Sequence, residues 1–213
     1  MTGFNLFAYC GNNPVKGFDP TGHWDWGGVI VGASLFAAGV ITLASCGTGT
    51  PVGVMIVAAA VATTGAITTG AAATDSTMVV DVSTAAAFGT GTKIGASLVV
   101  DFENNNANFY THTGAVGQNS FMANASYSVG IVSNYTEPED YAGPFADING
   151  GIPMSPVYSV GLDHCWNPQE DPRIATKATS FTFATGVEYN KWSNYGVGIG
   201  YDRYSKPTQI LAW

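Results

Sequence analysis

The feature that most constrains this fold is a stretch from Gly27 to Thr74 that contains no charged residue. It divides at the turn-forming sequence GTGTPVG into two apolar segments. Each is close to the roughly 20 residues that a helix needs to cross a hydrocarbon core of about 30 Å. The stretch therefore predicts a membrane-inserting helical hairpin over residues 27–74. A hairpin buried against the rest of the protein is the alternative.

Small residues are frequent in this hairpin, and they let two helices approach closely in lipid. We expect them to serve packing between the helices and not catalysis. The glycines that we assign to membrane insertion are Gly28, Gly32, Gly39, Gly65 and Gly70.

From about Ser76 to Trp213 the hydrophobic period changes to two, which is typical of β-strands. Turn clusters such as GTGT, ENNNAN and NPQEDP interrupt the pattern. We predict an antiparallel β effector domain over residues 75–213, with about eight strands in a closed barrel or a strongly curled meander. The plainest predicted strands are Lys93–Phe102, Phe121–Ser133, Val157–Cys165, Ser180–Tyr189 and Tyr195–Tyr204.

The two faces of the predicted strands differ in side-chain size. In the last of them, Ile199 and Tyr201 alternate with Gly198, Gly200 and Asp202. Glycine on one face permits tight curvature, and closure into a barrel removes exposed strand edges. An apolar outside and a small, polar inside also form the pattern of a membrane β-barrel. The larger side chains are therefore expected to face either a soluble core or lipid.

Charge and cysteine usage exclude several classes of function. Fifteen acidic residues against seven basic ones give a formal net charge of −8, so no basic stripe exists for nucleic acid. Cys10, Cys46 and Cys165 lack the spacing of a zinc site and are expected to be unpaired thiols. We find no motif for a metal or a cofactor. The N-terminus lacks a signal sequence, so we expect export to depend on an upstream segment or a dedicated machine.

The first 26 residues are rich in Gly, Asn, Pro and aromatic residues and predict a short strand followed by turns. The residues that form a recognisable spaced pattern are Asn5, Leu6, Phe7, Tyr9, Asn13, Pro14, Asp19, Pro20 and Gly22. Their spacing resembles the signature that ends the RHS repeat-associated core of bacterial polymorphic toxins. The resemblance covers about the first tenth of the chain and implies that this segment closes an upstream RHS cocoon, with a variable toxin domain after it.

The resemblance also carries expectations about delivery and partners. It implies a secreted or cell-surface-delivered toxin used in competition between bacteria, with the apolar hairpin helping delivery across the target-cell membrane. From the uncharged segment and the alternating strands we expect action at that membrane, and we expect an immunity protein as a partner. Some family members cut themselves after a D-P-x-G-L sequence. This chain has Asp19 and Gly22 but His23 in place of leucine, which puts self-cleavage in doubt.

Catalytic candidates are scattered, because no P-loop, Rossmann, nucleophile-elbow or kinase pattern occurs. We single out His112, Asp163 and His164, with a charged loop nearby that contains Arg173. A histidine beside acids is suited to general base catalysis. Adjacent strand residues point to opposite faces, however, so Asp163 and His164 share a site only if the strand has a bulge. His112 would meet His164 if their strands were neighbours.

The segment Glu137–Phe145 concentrates three acids around a tyrosine. Such a patch is suited to a divalent cation or to docking of a neutralising protein, although a solvated loop is the simplest interpretation. It lacks the D-x-D-x-D-G ladder of a calcium loop.

Three functions remain open at this point. The first is a toxin that inserts into membranes or forms pores. The second is an enzymatic toxin with its active site in a β-barrel that the apolar hairpin delivers. The third is a non-toxic adhesive or structural cap, since Trp166, Trp192 and Tyr201 would suit surface contacts.

Overall fold

The structure, a computed structural model, describes residues 28–36, 52–155, 157–189 and 196–212. The predicted RHS segment and the self-cleavage residues Asp19, Gly22 and His23 lie outside the described residues. Within them, two helices, α1 (residues 28–36) and α2 (Val52–Ala73), precede the strands. The strands are β1 (Thr77–Asp101), β2 (Asn106–Ser133), β3 (Gly143–Ser155), β4 (Tyr158–Trp166), β5 (Lys177–Tyr189), β6 (Gly196–Tyr204) and β7 (Thr208–Ala212).

The strands form a closed antiparallel barrel, which confirms the predicted fold, mainly β with a helical hairpin. The ring starts and ends at β2, whose C-terminal half pairs with β5 and whose N-terminal half pairs with β6. Between them, β5 pairs with β4, β4 with β3, and β3 with β6. The extra strand β7 pairs with the beginning of β2. Closure hides strand edges that would otherwise attract other chains.

β1 lies along the other edge of β2 and turns back on itself at Gly89. Gly89 has a φ of 75°, a left-handed conformation that glycine adopts without steric cost. Beyond the turn the two halves of β1 lie side by side. The Oγ of Ser97 donates a hydrogen bond of 2.6 Å to Asp81 Oδ1, and a Cβ at Gly91 would overlap the carbonyl oxygen of Ala86. The predicted GTGT turn thus lets one long strand supply two stretches of wall.

The helical hairpin lies on the outside of the barrel. α1 and α2 cross with their backbones in contact, because a Cβ at Gly32 or at Gly65 would overlap the other helix. Thr64 Oγ1 of α2 and the Tyr127 hydroxyl of β2 are 2.7 Å apart. The end of α2 is buried against the barrel in a cluster of Ala71, Ala72, Met78, Phe102 and Val129.

The glycines that we assigned to membrane insertion therefore have different environments. Gly32 and Gly65 make the close helix contact, and Gly28 lies at the start of the described part of α1. Nothing lies within 4 Å of a Cβ at Gly70, so Gly70 takes no part in that contact. Gly39 lies outside the described residues.

Candidate functional site

The inside of the barrel is polar because the small face of each strand points inward. In β6, Gly200 and Asp202 point into the lumen, whereas Ile199 and Tyr201 point outward and are about half exposed or more. The neighbouring strands follow the same alternation, since Asp147 of β3 is buried and Ile148 is exposed. The sequence pattern of β6 thus decides which side chains form the lumen.

A buried ion pair lies in the middle of the lumen. Lys93 Nζ of β1 is 2.7 Å from Asp202 Oδ2 of β6, and both side chains are largely buried. Gly114 of β2 pairs with both residues and lies between them. Because Gly114 has no side chain, the lysine reaches across β2 to the carboxylate.

His112 forms a second polar pair beside the first. Its Nε2 is 2.8 Å from Asp81 Oδ1, and its Nδ1 is 3.7 Å from Asp202 Oδ2. The imidazole stacks on Tyr204 with a centroid distance of 4.7 Å. A Cβ at Gly95 would overlap the imidazole, so glycine at that position makes room for the ring. His112 therefore connects Asp81 to the Lys93–Asp202 pair.

Several atoms of this lumen cluster, formed by Asp81, Lys93, His112, Asp147, Asp163 and Asp202, have no hydrogen-bond partner. They are His112 Nδ1 and one carboxylate oxygen each of Asp147, Asp163 and Asp202, all shielded from solvent. Four carboxylates against one lysine and one histidine leave an excess of negative charge. Buried carboxylates are costly unless they are paired, so the cluster binds the ammonium group of Lys93 strongly. The stability of the cluster therefore depends on the positive charge of Lys93.

A small polar pocket adjoins the cluster on the side of the Gly89 turn. Its volume is about 90 Å³, and Lys93 and Asp163 contribute its charged groups. The rest of its lining is mainly small or polar, as in Ser83, Asn124 and Thr182. Sites for drug-sized ligands occupy roughly 300–1,000 Å³, so this pocket suits only water or a very small solute.

The opposite end of the lumen is closed by an aromatic plug, formed by Tyr110, Tyr135, Tyr141, Phe145 and Tyr204. The Tyr110 hydroxyl donates a hydrogen bond of 2.6 Å to the carbonyl oxygen of Pro138, which ties the β2–β3 connection to the plug. Burial raises the pKa of the Tyr135 hydroxyl above its usual value. The lumen is therefore no open channel through the described barrel.

The predicted acidic patch is part of that closure. A turn of 3-10 helix, Pro138–Tyr141, follows Glu137, and the Asp140 carboxylate accepts hydrogen bonds of 2.8 and 2.9 Å from the backbone N–H groups of Thr136 and Glu137. Partial burial alone would raise the pKa of Asp140, but these bonds and the Thr136 hydroxyl hold it below its usual value. The acids of this segment shape the loop that places Tyr141 in the plug.

The outer wall is apolar and exposed. Phe88 is 82% exposed, Ile94 60% and Ile199 65%. In the described strands, the outward basic side chains, Lys177 and Arg203, lie at strand ends beside the plug. We call the exposed apolar side chains of the wall between its two ends the apolar belt; they are Val82, Ile94, Ile148, Ile152, Leu162, Phe181, Ile199 and Tyr201.

The structure places two of the three predicted catalytic residues inside the barrel and the third outside it. His112 and Asp163 belong to the lumen cluster, whereas His164 lies on the outer face with its Nδ1 2.8 Å from Thr179 Oγ1. The expected opposite orientation of Asp163 and His164 is observed. The expected contact between His112 and His164 does not form, because their strands are not neighbours and the barrel wall separates the two rings. Neighbouring Cys165 is a free, half-buried thiol.

Sequence reasoning missed four members of the cluster: Asp81, Lys93, Asp147 and Asp202. Each lies in a strand whose inward positions are occupied by glycine or small polar residues. A charged residue that alternates in step with glycine and small polar residues lies on the same face of the strand as they do. This alternation was the signal that the four charged side chains point inward. In the described part of the chain, no group of three or more His, Cys, Asp or Glu side chains is arranged to hold a metal ion.

Comparisons with known proteins add no family. No family model matches the chain, and no curated protein matches it. Among solved structures, the crystal structure of the red fluorescent protein lanRFPdam after prolonged X-ray irradiation aligns with a TM-score of 0.20 and 5% identity, over 56% of this chain and 92% of that one. A likeness at this level carries no argument about fold or function.

Proposed function

We propose that this chain is the effector end of an RHS-type polymorphic toxin and that it acts by inserting its barrel into the membrane of a target cell. The observation that carries the proposal is the inverted polarity of the barrel. Away from the strand ends, the ionic side chains of the described strands point into the lumen, and the apolar belt faces outward. A barrel in lipid needs this arrangement.

The area of the apolar belt is large for a surface in water. Its eight side chains, each about half exposed or more, present roughly 800 Å² of apolar surface. The largest patch on a typical soluble monomer is roughly 300–600 Å². Lipid contact would remove this surface from water around the whole ring.

The height of the barrel also suits a membrane. β4 and β6 have nine residues each. At about 3.3 Å per residue and a tilt of about 40°, such a strand spans about 23 Å of membrane, close to the apolar band of roughly 25 Å on membrane barrels.

The helical hairpin supports the same proposal. Val54–Ala73 has a mean hydropathy of 1.7 and is long and apolar enough to cross a membrane. Only 33% of the residues in its apolar segment are buried. Within α2, the hydroxyls of Thr63, Thr68 and Thr69 donate to backbone carbonyls one turn earlier, so they need no water. The close contact of Gly32 with α2 is also typical of helices in lipid.

The RHS resemblance of residues 5–22 supplies the biological setting. It supports delivery by an upstream RHS cocoon, competition between bacteria, and an immunity protein that protects the producing cell. The structure does not describe those residues, so this part of the proposal depends on the sequence alone.

Vesicle flotation with purified full-length chain tests membrane insertion. The wild type should float with phosphatidylcholine vesicles and release an entrapped dye. Ile94→Glu and Ile199→Glu each place a charge in the apolar belt and should reduce flotation at least tenfold. Lys206→Glu is the matched control, because it changes a charge in a loop outside the belt. A wild type that stays unbound would refute the proposal.

An enzymatic toxin is the second candidate, favoured by the buried His112–Asp81 pair and the unpartnered oxygen of Asp163 beside Lys93. The small pocket argues against a large substrate. Expression of His112→Gln and Asp163→Asn in bacteria separates the two candidates. Loss of toxicity with undiminished flotation would favour the enzyme, and undiminished toxicity would exclude it.

A further inference from the structure

The two ends of the barrel differ sharply in charge. We define the charged end by the connections 74–76, 102–105, 134–142, 167–176 and 205–207, and the tip by residues 88–90, 117–121, 154–155 and 157–158. The tip turns contain no charged residue. The charged-end connections contain Asp75, Glu103, Glu137, Glu139, Asp140, Glu170, Asp171, Arg173 and Lys206.

The tip is apolar as well as uncharged. Phe88, Met154 and Val157 are exposed there, and the exposed Ile152 lies two residues before Met154 on the same face of β3. Phe88 precedes the left-handed Gly89, so the tight turn projects its ring into solvent. Residues 190–195, between β5 and β6 in the sequence, lie outside the described residues and contain one charge, Lys191.

From this asymmetry we infer that the tip is a lipid-contacting surface that enters the bilayer first and crosses it, while the charged end stays on the side of entry. This inference rests on the proposed membrane insertion. Moving a charged side chain to the bilayer centre is costly, and the charged end would have to move nine of them. The free-energy barrier to crossing the bilayer is therefore lower for the tip than for the charged end.

The partner surface follows from the same charges. The net charge of −8 and the acidic charged end disfavour approach to anionic headgroups. The tip offers aromatic and aliphatic side chains with Gly, Thr and Asn between them, so its contacts are with acyl chains and neutral headgroups. A zwitterionic lipid surface is therefore the expected first contact.

Dye release from phosphatidylcholine vesicles by the full chain tests the direction of insertion. Phe88→Glu should slow release at least tenfold, and Met154→Glu should act in the same direction. Ile174→Glu is the matched control: Ile174 is 70% exposed on the charged end, and its substitution should change the rate less than twofold. Circular dichroism checks the fold, which these exposed positions should preserve.

The outcomes separate the inference from the proposal beneath it. If Phe88→Glu and Met154→Glu release dye like the wild type while Ile94→Glu fails to bind, the belt inserts but the tip does not lead. An Ile174→Glu variant as impaired as Phe88→Glu would also overturn the inference. If the wild type neither binds nor releases dye, membrane insertion itself is wrong and the inference fails with it.

Discussion

Replacing Lys93 tests whether one cation holds the lumen cluster together. Lys93→Met keeps the length of the side chain and removes its charge from the four carboxylates around it. The separation of 2.7 Å from Asp202 corresponds to an attraction of about 6 kcal/mol at an effective dielectric constant of about 20. Desolvation of the pair offsets part of this. Because the unpaired aspartate stays buried, we expect the free energy of unfolding to fall by about 3–5 kcal/mol.

Urea titration of the protein in detergent micelles, followed by tryptophan fluorescence, measures the loss. The double variant Lys93→Met/Asp202→Asn should recover at least about 2 kcal/mol relative to the sum of the single variants, because it removes both charges. Lys206→Met, in the β6–β7 loop, should cost less than about 0.5 kcal/mol. A Lys93→Met variant within about 1 kcal/mol of wild type would refute the electrostatic account of the lumen.

Two further predictions concern the helices and the loop at the plug. Gly65→Ala should separate α1 from α2 and lower vesicle binding, because the added Cβ would overlap the backbone of Phe36. In Gly70→Ala the added Cβ meets nothing within 4 Å, so this variant should stabilise α2 by up to about 1 kcal/mol. Hydrogen exchange of α2 distinguishes the two. Asp140→Ala should cost about 1 kcal/mol at pH 7 through lost capping bonds. Since the folded pKa of Asp140 lies below its unfolded value, that stabilisation is complete above the unfolded pKa and disappears as pH falls through the folded one. Thermal melts from pH 7 to pH 2 measure it, and a gap between variant and wild type that persists unchanged at pH 2 would contradict this account.

The strand pattern was predictable because period-two alternation depends only on local backbone geometry. β5 and β6 end where the turn residues predicted, and alternation in β6 already separated Ile199 from Asp202. The same local rule correctly placed Asp163 and His164 on opposite faces. It left open which face was inside, since a barrel can bury either one.

The cluster itself was beyond local reasoning. Lys93 and Asp202 meet only because β2 pairs with β1 on one edge and with β6 on the other. Nothing in the spacing of these two residues along the chain indicates that proximity. Gly200 was recognised as an aid to curvature, yet the structure shows that Gly95, Gly114 and Gly200 make room for the side chains of the cluster.

The double pairing of β2 has a consequence for folding kinetics. Its C-terminal half gains β5, but its N-terminal half gains no partner on that edge until β6 arrives, after all of β3, β4 and β5 have been placed. Contacts between segments so distant along the chain form slowly, because closing a long loop costs conformational entropy before the contacts can stabilise the structure. The open intermediate would expose both the strand edge of β2 and the acidic lumen, and the last step would bury Asp202 against Lys93. A chain with this topology forms its local hairpins first and completes its barrel in a single late closure between β2 and β6.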